Sequence, residues 1–143
     1  ESIVIRTSWL YSSFGKNFVK TIIEKSKSKD LLKIVGDQYG CPTNAYDLAN
    51  AIMQIIKSKD RFDKESKIYN FSNLGYTSWF EFAKVILKEI NIKCNLEEIK
   101  TNEISQLSKR PKFAITNKTK IISAFNLKIP GWKESLMKFL KNI

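Results

Sequence analysis

The residues best suited to holding a charged ligand gather just after short apolar runs. Ile3, Val4 and Ile5 form a β-branched run, the mark of a strand buried on both faces. Arg6, Thr7, Ser8, Trp9 and Tyr11 follow at once, all able to hydrogen-bond or stack. In open α/β sheets ligands bind beyond the carboxyl ends of strands, so this handover is a candidate binding edge. The same Trp9 and Tyr11 could equally fill a loop core. Residues 37–44 and 72–78 follow two more apolar runs and carry the same kinds of side chain. Together with Lys109, Arg110 and Pro111 they could converge on one ligand. Arg110 suits a bidentate contact with a diphosphate, and it reads as well as a surface guanidinium. Gln38, Thr43 and Asn17 are turn and cap residues by default.

Composition narrows the chemistry. The chain has no histidine, which removes Ser-His-Asp and Cys-His catalysis and histidine-ligated metals. Any acid–base step must use Tyr, Lys, Asp, Glu or Cys. Cys41 and Cys94 lack metal or disulfide spacing and read as reduced thiols, and no metal site is expected. The net charge is +11, from 25 Lys plus Arg against 14 Asp plus Glu. That invites nucleic acid, but the arginines are only Arg6, Arg61 and Arg110, and the lysines are scattered singly. A nucleotide or sugar phosphate fits the charge as well, and no nucleic-acid partner is predicted. No apolar run approaches the ~20 residues of a membrane span, and no signal peptide opens the chain. The expectation is a soluble, cytoplasmic protein with no membrane partner.

The positioning elements follow from periodicity. A helix is predicted from Asn17 to about Ser28 on Phe18, Val19, Ile22 and Ile23. Leu31–Val35 reads as a strand. Asn44 and Asp47 start a helix whose apolar face is Ala45, Leu48, Ala49, Ile52 and Ile56. Residues 58–66 read as an exposed connection and 67–71 as a third strand. Ser78 and Glu81 form a capping box for a helix carrying Phe82, Ala83, Ile86, Leu87 and Ile90. Residues 96–100 read as a weaker strand, and 101–112 as a long loop. Thr116 or Asn117 caps a short helix through Phe125, and a last helix follows Pro130 with Leu136, Phe139 and Leu140 inward. The order β-α-β-α-β-α-β-α-α argues α/β. A buried strand beginning at residue 2 needs neighbours on both sides, so the chain reads as the second part of something larger.

Four stretches carry a family resemblance, in this order: Arg6-Thr-Ser-Trp-Leu-Tyr-Ser-Ser-Phe-Gly-Lys-Asn-Phe-Val19, Val35-Gly-Asp-Gln-Tyr-Gly-Cys-Pro-Thr43, Thr77-Ser-Trp-Phe-Glu-Phe-Ala83 and Lys109-Arg-Pro-Lys-Phe113. With the closing Ile129-Pro-Gly-Trp-Lys-Glu-Ser-Leu136, the whole chain resembles the C-terminal half of the dTDP-4-dehydrorhamnose reductases. These belong to the extended short-chain dehydrogenase/reductase family. The resemblance implies the C-terminal part of a Rossmann-like doubly wound fold plus the small substrate-binding α/β subdomain, over residues 1–143.

It also implies reduction of the C4 ketone of a dTDP-linked 6-deoxy sugar by NADPH or NADH. Trp9 would lie against the sugar, with Asn17, Gln38, Thr43 and Arg110 toward the nucleotide and diphosphate. Ser8 and Tyr11 would shape the wall near the nicotinamide. The family's Gly-x-x-Gly-x-x-Gly turn does not occur among the glycines at 15, 36, 40, 75 and 131. No tyrosine is followed four residues on by lysine, so the Tyr-x-x-x-Lys pair is missing too. These 143 residues are therefore expected to hold no cofactor, to supply no catalytic residue, to be inactive alone and to self-associate. The alternatives are a non-catalytic regulatory subunit of the same fold and a basic nucleic-acid module.

Overall fold

The computed structural model describes residues 2–58, 67–104 and 110–143. The predicted connection over 58–66 and Lys109 of the basic motif fall almost wholly outside them. Parallel strand pairs separated by helices build the molecule, because parallel neighbours can only be joined by a crossover. Strand β1 (Ile3–Arg6) pairs in parallel with β6 (Lys67–Asn70), and β3 (Leu31–Val35) with β8 (Asn95–Ile99). Between them run α1 (Phe18–Ser26), α2 (Ala45–Lys57) and α3 (Trp79–Glu89), and α4 (Thr119–Phe125) and α5 (Trp132–Leu140) close the chain. The predicted order of long elements is the observed one.

Two apolar clusters hold these layers. Val19 and Ile22 of α1, Leu32 of β3, Phe82 and Ile86 of α3 and Leu136 of α5 form one. Leu136 is 0% exposed, and truncating such a side chain costs about 2–5 kcal/mol. The other packs Ala51 and Ile55 of α2 and Ile121 and Phe125 of α4 on Tyr69 and Phe71. Ile3 and Ile5 lean on this second cluster.

Two expectations are corrected here. β1 is not buried on both faces: Val4 is 48% exposed, because α2 and α4 cover only the face carrying Ile3 and Ile5. On α2 the inward stripe is Leu48, Ala51 and Ile55, while Ala49, Ile52 and Ile56 face out. Each of those three lies one residue, about 100° of turn, past an inward position.

The loops are less irregular than their composition suggests. Residues 37–44 contain β4 (Tyr39–Gly40) and β5 (Thr43–Asn44), and β2 (Leu10–Tyr11) pairs with β5. β4 lies between β7 (Thr77–Ser78) and β9 (Phe113–Ala114). Residues 101–103, predicted as loop, form one turn of 3-10 helix. These two-residue strands stitch together the very segments that carry the candidate site residues.

Candidate ligand-binding site

Strand β1 ends at Arg6, and the chain turns through a polar latch. Thr7 donates its hydroxyl to Thr43 Oγ1 at 3.0 Å, and Thr43 donates onward to the Ser8 carbonyl at 2.7 Å. Ser8 Oγ donates to the Cys41 carbonyl at 2.9 Å, and the Thr43 N–H to the Trp9 carbonyl at 3.1 Å. Thr43 is 0% exposed, so its hydroxyl serves the latch rather than open solvent. These bonds fix Trp9 with φ 48°, a region that non-glycine residues rarely enter.

The Trp9 indole is covered on both faces. Trp79, the first residue of α3, stacks on it with ring centroids 3.4 Å apart and planes within 9°. Gly40 lies on the other side. A Cβ there would stand 2.4 Å from Trp9 Cε2, 2.6 Å from Nε1 and 2.7 Å from Cζ2, hence almost directly above the ring. No Trp79 atom would be as near, so Gly40 and Trp79 occupy opposite faces. Phe18 packs against Trp79 at 4.4 Å between centroids and extends the aromatic wall.

Beside this wall a groove of about 210 Å3 is lined by Phe18, Lys33, Val35, Gln38, Trp79 and Arg110. Two of the sequence-derived candidates, Gln38 and Arg110, meet here. Gln38 is 4% exposed and donates through Nε2 to Thr101 Oγ1 at 3.2 Å. Thr101 in turn gives its N–H and hydroxyl to Asp37 Oδ1 at 2.9 and 2.6 Å. That hydroxyl bond, more than the backbone one, holds the Asp37 carboxyl below the ordinary carboxylate range despite a smaller desolvation effect the other way. The groove therefore combines aromatic surface with the Arg110 guanidinium, suited to a base or sugar carrying phosphate, while Lys33 at its edge is paired with Glu97 at 3.1 Å.

Asn17 and Tyr11 sit elsewhere. Asn17 is the N-cap of α1: its Oδ1 accepts the Lys20 N–H at 3.1 Å and its Nδ2 donates to the Ser12 carbonyl. Tyr11 is 2% exposed, packed on Phe82 and Phe139 inside the first cluster. Its hydroxyl has no well-formed hydrogen bond among the described residues, with Ser135 and Asp47 as polar neighbours. Burial pushes its pKa well above that of a free tyrosine; Ser135 lowers it somewhat and Asp47 raises it. Tyr11 is thus a poor proton donor.

Several residues of the site were not singled out by sequence. In the sequence Trp79 and Gly40 stand only within the stretches that carry the family resemblance, with no role of their own, and Thr101 within a long loop. Asn73, 0% exposed, ties three segments together. Its Oδ1 accepts the Asn44 N–H at 2.8 Å, and its Nδ2 donates to Asp47 Oδ2 at 2.6 Å and to the Pro130 carbonyl at 3.3 Å. Ser135 donates to the same Asp47 oxygen. A larger cavity of about 660 Å3 opens by α2 and α5, lined by Tyr46, Asp47, Asn50, Ser135 and Lys138 among others. It contains none of the sequence-derived candidates, and Asp47 opposes an anionic ligand there. The smaller groove has the better chemistry.

Among the described residues no three Cys, Asp or Glu side chains gather as ligands. A pyrophosphate turn needs close-spaced glycines under free N–H groups. Gly36 instead lies beneath the Glu98 carboxylate, 1.8 Å from where a Cβ would be, and its N–H is bonded to the Ile99 carbonyl.

The family pattern described as the RmlD substrate binding domain matches residues 1–143. The chain belongs to that family. The spore coat polysaccharide biosynthesis protein SpsK of Bacillus subtilis is 33% identical over 141 residues, 99% of this chain and 47% of its own length. A dTDP-4-dehydrorhamnose reductase of Aggregatibacter actinomycetemcomitans is 35% identical over 95% of this chain and 49% of its own. Among solved structures, dTDP-4-dehydrorhamnose reductase from Bacillus anthracis in complex with NADP superposes with a TM-score of 0.87 at 36% identity, covering 98% of this chain and 48% of that one. A UDP-galactose 4-epimerase, at 12% identity and a TM-score of 0.76, shares the Rossmann-like α/β fold. The chain spans about half the length of the curated relatives it matches. No helix among its described residues is long and apolar enough to cross a membrane.

Proposed function

We propose that this chain is the substrate-binding side of a dTDP-4-dehydrorhamnose reductase, serving nucleotide-sugar synthesis for cell-surface polysaccharide. The whole protein would reduce dTDP-4-dehydro-L-rhamnose to dTDP-L-rhamnose with NADPH or NADH. The observation that carries this reading is the groove that brings Gln38 and Arg110 beside the Trp79–Trp9 wall, in a chain matched end to end by the family. Arg110 meets the diphosphate, Gln38 the nucleotide, and Trp9 the sugar. Thr43 and Ser8 hold the loop that bears Trp9, Asn17 fixes the start of α1 below the groove, and Tyr11 supports the wall from the core.

The glycine turn for the dinucleotide and the Tyr-x-x-x-Lys pair are assigned to residues outside these 143, so no hydride or proton step is assigned to them. Titration calorimetry of the full-length protein tests the binding assignment. Thymidine diphosphate should bind, and Arg110→Ala should weaken it about five- to fiftyfold, as loss of a charge-assisted contact implies. An unchanged affinity in Arg110→Ala would remove Arg110 from the site.

A further inference from the structure

A second groove, of about 440 Å3, runs along α3 against residues 91–96. Phe80, Leu87, Ile92 and Leu96 give it an apolar floor. Phe80 is half-buried yet packs in neither apolar cluster. It stands two residues, about 200° of turn, from Phe82, which faces Phe18 of α1. The groove therefore lies on the side of α3 turned away from α1. Strand β8 forms its far wall and pairs with β3 and no other described strand. The Asn95 N–H bonds the Asp30 carbonyl and the Gly36 N–H bonds the Ile99 carbonyl, so residues 95, 97 and 99 aim their backbone groups at β3. Alternate residues of a strand face opposite edges, so Leu96 and Glu98 turn theirs outward, bonded to no described residue. Lys84, Lys88 and Lys93 line the rim, and no described Asp or Glu lines the groove. Lys84 leans on Glu81 at 3.5 Å, while Lys88 and Lys93 have no ion pair among the described residues. The β8 carboxylates are turned elsewhere, Glu97 to Lys33 and Glu98 over Gly36.

We propose that this groove and the outer edge of β8 form a docking surface for an extended acidic peptide of a partner protein. The peptide pairs its backbone with the outward groups of Leu96 and Glu98, as strand addition requires. One apolar side chain drops onto Phe80, and its carboxylates meet Lys88 and Lys93. A second copy of this chain is the poorer occupant, because its 25 basic residues against 14 acidic ones oppose the same lysines. A nucleic acid or an anionic membrane meets the lysines but leaves the strand edge and the apolar floor unused.

The probe is a capped, fluorescently labelled synthetic peptide that alternates aspartate with leucine, added to the full-length protein at low salt. Anisotropy should report binding, and hydrogen exchange over residues 94–99 should slow as the Leu96 and Glu98 groups become paired. The Lys88→Glu, Lys93→Glu double variant should weaken the peptide at least about tenfold without lowering the melting temperature, since both side chains are exposed. Phe80→Ala should weaken it about five- to tenfold, and the lysine pair carries the test should that variant fail to fold. A peptide with proline in place of leucine keeps the charge, cannot pair as a strand and should not bind. No binding of the acidic peptide to wild type, or unchanged affinity in the double variant, would overturn the proposal. Exchange over 94–99 that slows with protein concentration alone assigns the edge to a second copy and overturns it too. So does equally tight binding of the proline peptide, duplex DNA or anionic vesicles, which would make the surface a plain polyanion site.

Discussion

Asp37 is bound twice by Thr101, once by the hydroxyl and once by the backbone N–H, and Gln38 next to it reaches the same hydroxyl. This small arrangement orients the floor of the groove. Its signature is the depressed Asp37 pKa. A carboxyl with a folded value below its unfolded one contributes stability that is full above the unfolded pKa. That contribution is lost as pH falls through the folded value. Thr101→Val deletes the hydroxyl, the larger of the two bonds in effect, so Asp37 should titrate closer to 3.8. The acid-side loss of stability that wild type shows below that value should shrink in the variant. An NMR-monitored titration of the Asp37 carboxyl reads this directly, and a titration unmoved by Thr101→Val would contradict it. None of this was legible in sequence, where Asp37 and Thr101 stand 64 residues apart. The case of Trp9 is similar. Its place after a strand marked it as a site residue, yet the partners that cover its faces come from residues 40 and 79.

The long elements were readable because each carries its own periodic signal, strong enough to be recognised without tertiary help. The two-residue strands were not, since two residues hold no period, and their pairing depends on segments brought in from elsewhere. α3 shows both sides. Ser78 Oγ accepts the Glu81 N–H at 3.1 Å, as the predicted cap requires. Glu81, however, points to Lys84, 3.5 Å away on the exposed face. Half of the capping box forms, so the two residues should differ under mutation. Ser78→Ala should cost about 1 kcal/mol, read as a lower denaturant midpoint at constant slope. Glu81→Gln should be close to neutral, as expected for an exposed pair. Equal losses for the two would restore the full reciprocal box. The short helix α4 differs from its sequence expectation at the cap: Lys118 is the N-cap and makes no side-chain cap bond, while Asn117, one residue further out, accepts the Thr119 N–H on Oδ1 at 2.8 Å. On α2 the apolar stripe was misplaced by one position because Ala49, Ile52 and Ile56 continue a helical face as plausibly as the true one.

At the scale of the whole molecule, apolar surface is left where the two expected faces were misjudged. Val4 and Ile68 lie 48% and 46% exposed on the outer face of the β1–β6 pair. Ile52, Met53 and Ile56 line the outside of α2. β1 pairs with β6 and with no other described strand, which leaves a strand edge able to template another chain. The charge of +11 opposes association, but salt screens it beyond roughly 10 Å. Apolar contact at about 25 cal/mol per Å2 over a few hundred Å2 outweighs that repulsion. The 143-residue chain on its own should therefore scatter light as a dimer or larger species at moderate salt. A monodisperse monomer at high concentration would show that these faces are compatible with water.

On the proposed function, these residues form the substrate side of a reductase whose cofactor turn and catalytic pair come from other residues of the protein. Loss of nicotinamide absorbance at 340 nm on adding dTDP-4-dehydro-L-rhamnose tests it, run in parallel on the full-length protein and on the 143-residue chain. Turnover is expected from the full-length protein with NADPH or NADH, and none from the isolated chain. Turnover by the isolated chain, or a full-length protein that never oxidises either cofactor, would contradict it.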